Sequence, residues 1–159
     1  MVPLDDARLP RGVESPVERD LLEEWNTDGE RGAFSLDRYL VVLAGAGLGG
    51  LARYVAGTWI SGKFGVRFPL GTFVINVTGA FLIGVLMTLL TERFQPHPNW
   101  RLFLVVGVLG GYTTFSSFEY ETFQAVRSGA HWIGLAYLVG SVLFGYLGVW
   151  SGVVVASGR

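Results

Sequence analysis

The chain has 159 residues, 50% of them hydrophobic and only 16% charged, with 23 glycines, no cysteine and a net charge of −1. That length holds one domain, and so few charges among so many apolar residues suit a protein that crosses a membrane several times rather than a soluble globule. The lack of cysteine excludes a disulfide framework and a thiolate metal site, and a net charge near zero gives no sign of a nucleic-acid partner.

The charge is unevenly spread. Residues 1–37 hold ten acids against four bases, a net of −6, and the remainder holds eight bases against three acids, a net of +5. Residues 1–37 therefore read as an acidic N-terminal extension and 38–159 as a membrane domain. The extension has no apolar core of the kind a signal peptide needs. Ser15-Pro16-Val17-Glu18 has the form of a capping box with proline at the first helical position, and Val17, Leu21, Leu22 and Trp25 fall on one side of the short helix it would open. Short isolated helices are marginal in water, so the extension reads as mostly disordered, with a docking helix as the other reading.

Four apolar stretches follow, at about 39–60, 69–91, 102–126 and 132–156, each long enough to cross a hydrocarbon layer of about 30 Å at a rise of about 1.5 Å per residue. Short polar loops separate them, so consecutive helices are neighbours. Trp59, Trp100, Trp132 and Trp150 lie near span ends, where an aromatic belt is expected. The bases Arg38, Arg93, Arg101 and Arg159 lie on one side of the membrane, and Lys63, Arg67 and Arg127 on the other. Orientation follows the bias in lysine and arginine. Four against three is almost none, so the chain either inserts both ways or takes an orientation decided by a single charge. Insertion both ways would permit an antiparallel homodimer.

In the first span Gly45 and Gly49, and in the fourth Gly140, Gly148 and Gly152, recur at multiples of four, a spacing that lets helix backbones approach closely in lipid. Arg53 sits about seven residues, roughly 10 Å, from the end of the first span. It either snorkels to the interface or raises the potential at a pore mouth. Asn76 is the one strongly polar side chain inside the second span. Its amide offers donors to an anion, or else a cross-helix hydrogen bond that fixes packing.

The third span carries the most informative run, Gly110-Gly111-Tyr112-Thr113-Thr114-Phe115-Ser116-Ser117-Phe118-Glu119-Tyr120-Glu121. Paired glycines followed by β-branched threonines are a weak point for helix, and unwound backbone at membrane depth must line a cavity or be buried in protein. Free carbonyls at such a break can coordinate a cation; alternatively, a kink is relieved by threonine side chains bonding back to carbonyls. Beyond the break, Thr114, Ser117, Glu121 and Gln124 fall within about 80° of one another on a helix, beside a stripe of Phe115, Phe118 and Thr122. Phenyl edges are the positive part of the ring quadrupole, so a polar track beside a phenyl track offers an anion weak stations from which it can leave. Ordinary core packing is the competing account of the phenylalanines. Glu119 and Glu121 complicate an anion pathway, since an ionised carboxylate repels anions; such a group instead donates a proton, relays one or holds a cation. Tyr137 and Ser141, one turn apart on the fourth span, add hydroxyl donors.

Taken together, Gly49-Gly50-Leu51-Ala52-Arg53-Tyr54, Pro69-Leu70-Gly71-Thr72-Phe73-Val74-Ile75-Asn76-Val77-Thr78-Gly79 and Gly110-Gly111-Tyr112-Thr113-Thr114-Phe115-Ser116-Ser117-Phe118 resemble the small bacterial fluoride channels of the Fluc or CrcB family. The resemblance runs in order through residues 39–156. It implies an all-α membrane protein of four transmembrane helices, the third broken, assembled as an antiparallel dual-topology homodimer in the bacterial inner membrane. It implies fluoride as the ion and passive export of cytoplasmic fluoride, which enters as the neutral acid and is trapped as the anion. It places the fluoride pathway at Asn76, Phe115, Phe118, Ser117, Glu121, Tyr137 and Ser141, with Arg53 at the vestibule. It also places a structural sodium ion at the dimer centre, held by backbone carbonyls of Gly110 and Thr113. Gly145 stands where relatives can have a further serine, and Glu119 where relatives have a small polar residue.

The rival reading is a small dual-topology proton-coupled drug antiporter using Glu119 or Glu121. That class conventionally keeps its carboxylate in the first helix, where this chain has none. A non-transporting assembly subunit would explain the glycines but not the polar track. No phosphate-binding loop and no nucleophile–base pair points to an enzyme.

Overall fold

A computed structural model describes residues 36–65 and 68–158. Residues 1–35 of the acidic extension, with its capping box, lie outside the described residues, and its last two, Leu36 and Asp37, open the first helix. Four helical spans follow one another: α1 (Leu36–Phe64), α2 (Leu70–Arg93), a third span (Pro98–Arg127) and α5 (His131–Ser157). The third span is composed of α3, residues 98–112, and α4 (Phe115–Arg127). All four spans are long and apolar enough to cross a membrane, which makes this a multi-pass membrane protein.

The spans overlap the expected stretches and extend a few residues beyond them. The third begins early because His97 and Pro98 start a helix before the apolar run does: His97 Nδ1 accepts the Asn99 N–H at 3.2 Å, and Pro98 occupies the first turn. The other histidine is also structural in position. His131 is the first residue of α5. The end of α2 (Leu89–Arg93) and Leu102–Leu109 within α3 are wound as π-helix, wider than the α-helix on either side.

Glycine decides which helices touch. On α1, a Cβ at Gly45 would lie 2.5 Å from the Phe103 carbonyl oxygen, and one at Gly49 would overlap the Val108 carbonyl. From the other side, a Cβ at Gly111 would lie 2.5 Å from the Ala46 carbonyl oxygen. So α1 crosses α3 backbone to backbone. Similarly, α2 crosses α5 where Gly84 meets Val149 and Gly152 meets Phe81. Such close approach supplies dispersion contacts in lipid, where no hydrophobic effect drives helices together. Gly140 is different: a Cβ there meets only the Phe73 ring edge at 3.8 Å, an ordinary contact. Replacing Gly49 by alanine forces α1 from α3 and is expected to cost about 1–3 kcal/mol, read from unfolding in detergent. Gly62→Ala, with nothing among the described residues within 4 Å, is the control and should lose no stability.

Outside these crossings the surface is apolar. Leu40, Leu43, Leu48, Leu51 and Val55 are exposed on α1, and Val142, Leu143 and Phe144 on α5. Apolar surface of this kind is suited to acyl chains or to another protein. Trp59, Trp100, Trp132 and Trp150 are exposed as a belt requires, and the Lys63 ammonium lies over the Trp59 ring at 5.1 Å.

Candidate functional site

The site is organised by two extended residues between α3 and α4. Thr113 has φ −80° and ψ 157°, and Thr114 has φ −149° and ψ 118°. In an uninterrupted helix the Thr114 N–H would donate to the Gly110 carbonyl, four residues back. Here it donates to Asn76 Oδ1 at 2.8 Å. The Ser117 N–H would likewise donate to the Thr113 carbonyl, and here it donates to Thr114 Oγ1 at 3.3 Å. The Gly110 and Thr113 carbonyls have both lost their helical donors. Asn76 Nδ2 returns a hydrogen bond to the Thr114 carbonyl at 2.9 Å, so one amide side chain grips both polar groups of one residue. The sequence left open whether the Asn76 amide serves an anion or a cross-helix bond. The structure gives it the cross-helix bond, with one of its two N–H groups still available. Thr114 also caps α4, and the start of that helix presents the positive end of its dipole.

Around the link lie two cavities. The first, about 430 Å³, is lined by Asn76, Gly110, Thr113, Phe115, Phe118 and Ser141, together with Thr114. The second, about 620 Å³, is lined by Arg53, Thr72, Ser117, Glu121 and again Thr114. The expected residues are therefore brought together in two groups on either side of Thr114. Tyr137 lines neither cavity: it is fully buried and reaches the second group through a hydrogen bond.

In the first cavity the Phe115 and Phe118 rings are 5.8 Å apart at 49°. Phe118 is buried, whereas Phe115 is 74% exposed. The Ser141 hydroxyl is buried without a hydrogen-bond partner, a state that costs free energy unless something else satisfies it. Substituting Ser141→Ala is accordingly expected to leave stability unchanged or to raise it, while slowing whatever polar species uses the cavity. A loss of stability of more than about 1 kcal/mol would assign the hydroxyl a packing role instead.

Glu121 organises the second group. Thr72 Oγ1 donates to Glu121 Oε1 at 2.8 Å, and the Tyr137 hydroxyl donates to Glu121 Oε2 at 2.7 Å. Tyr137 is itself boxed by ring-edge contacts from Phe68 at 5.4 Å and Phe118 at 5.1 Å. Phe118 thereby joins the two groups mechanically. Glu119, two residues earlier, is exposed and lines neither cavity. Gln124 lies further out, its amide donating to the Tyr120 hydroxyl at 3.3 Å. Gly145 lines neither cavity, and a Cβ there would meet nothing within 4 Å.

Thr72 was not singled out from the sequence. Its signal was available: it lies one turn before Asn76 on α2, so both reach the same side of that helix. Tyr112 and Thr78, which touch beside the link, were also missed.

A four-span helical membrane protein with a two-residue interruption, a phenyl pair and hydroxyl-lined cavities at membrane depth defines a class of small integral membrane protein with an internal polar pathway. Comparison with known proteins places it more narrowly. The profile of the CrcB-like family (CrcB-like protein, Camphor Resistance) matches residues 40–153, and the chain belongs to that family. It is 62% identical over 119 residues to the fluoride-specific ion channel FluC of Solibacter usitatus, covering 75% of this chain and 98% of that protein. It is 48% identical over 120 residues to the protein of the same name from Acidobacterium capsulatum, covering 76% and 96%. With the Hydrogenobaculum sp. fluoride-specific ion channel FluC it shares 50% identity over 109 residues, covering 69% and 88%.

Proposed function

We propose that this protein is a fluoride-selective passive channel that lets cytoplasmic fluoride leave a bacterial cell across the inner membrane, working as an antiparallel dual-topology homodimer. The observation that carries the reading is the first cavity, where a phenyl pair, an amide with a free N–H and an unpartnered buried hydroxyl converge. Each is a weak donor to an anion, and none is a fixed cation that would trap it. The relatives named above are fluoride-specific channels.

A single protomer leaves Phe115 largely exposed. The ring would be covered by the second copy, so that the pathway is completed between protomers. Arg53 concentrates anions in the second cavity. Glu121, held by Thr72 and Tyr137, keeps its carboxylate oxygens occupied and so blunts its repulsion of a passing anion. Ser117, Tyr137 and Ser141 provide hydroxyls along the route.

The interruption of the third span fits a monovalent cation. The Gly110 and Thr113 carbonyls that lost their helical donors would hold structural sodium, and its charge would satisfy carbonyl dipoles that have no donor. Asn76 keeps the Gly110 carbonyl free by taking the Thr114 N–H, and Thr114 Oγ1 keeps the Thr113 carbonyl free by taking the Ser117 N–H.

Production of the protein in a bacterium made sensitive to fluoride is expected to restore growth in millimolar fluoride. Membrane-inserted protein that leaves the cells as sensitive as before would overturn the function.

A further inference from the structure

One turn of α2 holds three consecutive residues of the third span. Asn76 grips Thr114 through two hydrogen bonds. Gly79 lies under the Thr113 methyl, so close that a Cβ would overlap it. Thr78 Oγ1 lies 3.0 Å from the Tyr112 hydroxyl. The direction of that last bond is fixed by the neighbours. The Thr78 hydroxyl donates to the Val74 carbonyl at 2.7 Å, and a hydroxyl has one proton to give. Tyr112 is therefore the donor to Thr78.

The two ends of the link are not equally stiff. Its C-terminal side is set by Asn76 and by the Thr114 cap. Its N-terminal side begins with Gly110 and Gly111, which are helical but have no side chain to hold them to a neighbour, and the peptide plane between them aims the Gly110 carbonyl. Tyr112 is the first side chain after the glycines, and its hydroxyl is tied to a neighbouring helix. We infer that Tyr112 and Thr78 are positioning residues that fix the aim of the Gly110 carbonyl and so set how tightly the link holds sodium. The inference rests on the sodium reading of Gly110 and Thr113. Preorganising a ligand set strengthens binding by removing the cost of ordering it.

The test is hydrogen exchange of the backbone amides of residues 110–116, followed in purified full-length protein as sodium replaces a large organic cation. The readout is the sodium concentration that gives half of the full protection. Tyr112→Phe, which removes only the hydroxyl, is expected to raise that concentration about threefold to tenfold, the range of one interhelical hydrogen bond in a membrane protein. Thr78→Val should raise it equally, Thr78→Ser should stay close to the parent, and the double variant Tyr112→Phe/Thr78→Val should add nothing further. Exchange of amides outside residues 110–116 should be the same in all of them, which separates aim from general stability. A parent protein that responds to sodium, with both single variants unshifted or their effects additive, would overturn this inference alone. A parent protein with no response to sodium would overturn the sodium reading and this inference with it.

Discussion

Replacing Asn76 with leucine is expected to abolish transport and to destabilise the fold by about 1–3 kcal/mol, since the buried Thr114 N–H loses its partner. The amide accepts the Thr114 N–H and donates to the Thr114 carbonyl, which as the cap of α4 also takes the first bond of that helix. Without it the N–H has one nearby alternative, the Gly110 carbonyl, and bonding there would rewind the link into continuous helix. Asn76→Asp separates the two halves of the grip. The carboxylate still accepts the N–H, but it sets an oxygen against the Thr114 carbonyl. Amide exchange at Thr114 distinguishes the outcomes: rapid exchange marks an open, frayed link, and slow exchange with lost transport marks a rewound helix. Parent-like transport in Asn76→Leu would show that the grip on Thr114 is dispensable.

The second large effect belongs to Phe115. Phe115→Ile keeps an apolar side chain of moderate size but removes the ring quadrupole. Because Phe115 is 74% exposed and its ring contact among the described residues is with Phe118, the chain should fold as before. Fluoride flux should fall at least about tenfold, the factor that corresponds to about 1.4 kcal/mol and to a single aromatic interaction. Flux unchanged by Phe115→Ile but lost in Phe118→Ile would move the pathway to the buried ring and its contact with Tyr137.

The spans were legible because lipid imposes a simple requirement: about twenty apolar residues and no orphaned backbone groups. The glycine crossings of α1 were legible for a related reason, since Gly45 and Gly49 share one helix face. The same spacing misled at Gly140, because a spacing identifies a face without naming its neighbour. The polar run was legible as a site because Thr113 and Thr114 follow two glycines where a helix is costly to maintain. Its wiring was not. That Thr72 and Tyr137 would take one oxygen each of Glu121 depends on how α2, α4 and α5 pack, and helical periodicity within one element cannot supply it. Asn76 shows the limit most clearly. Its type and depth admitted an anion ligand or a cross-helix bond, and only the position of the Thr114 backbone reveals the cross-helix bond and the N–H it leaves over. The π-helical winding of Leu102–Leu109 has no sequence signal, the segment being wholly apolar apart from one glycine.

The central claim is selective passage of fluoride, and flux from liposomes tests it most directly. Vesicles containing the purified full-length protein would be loaded with fluoride or chloride, and release followed by an ion-selective electrode once valinomycin clamps the potential. Rapid release of fluoride, with chloride retained and Phe115→Ile slow, is the predicted result. Retention of fluoride by vesicles that hold well-folded protein, or equal release of chloride, would contradict it.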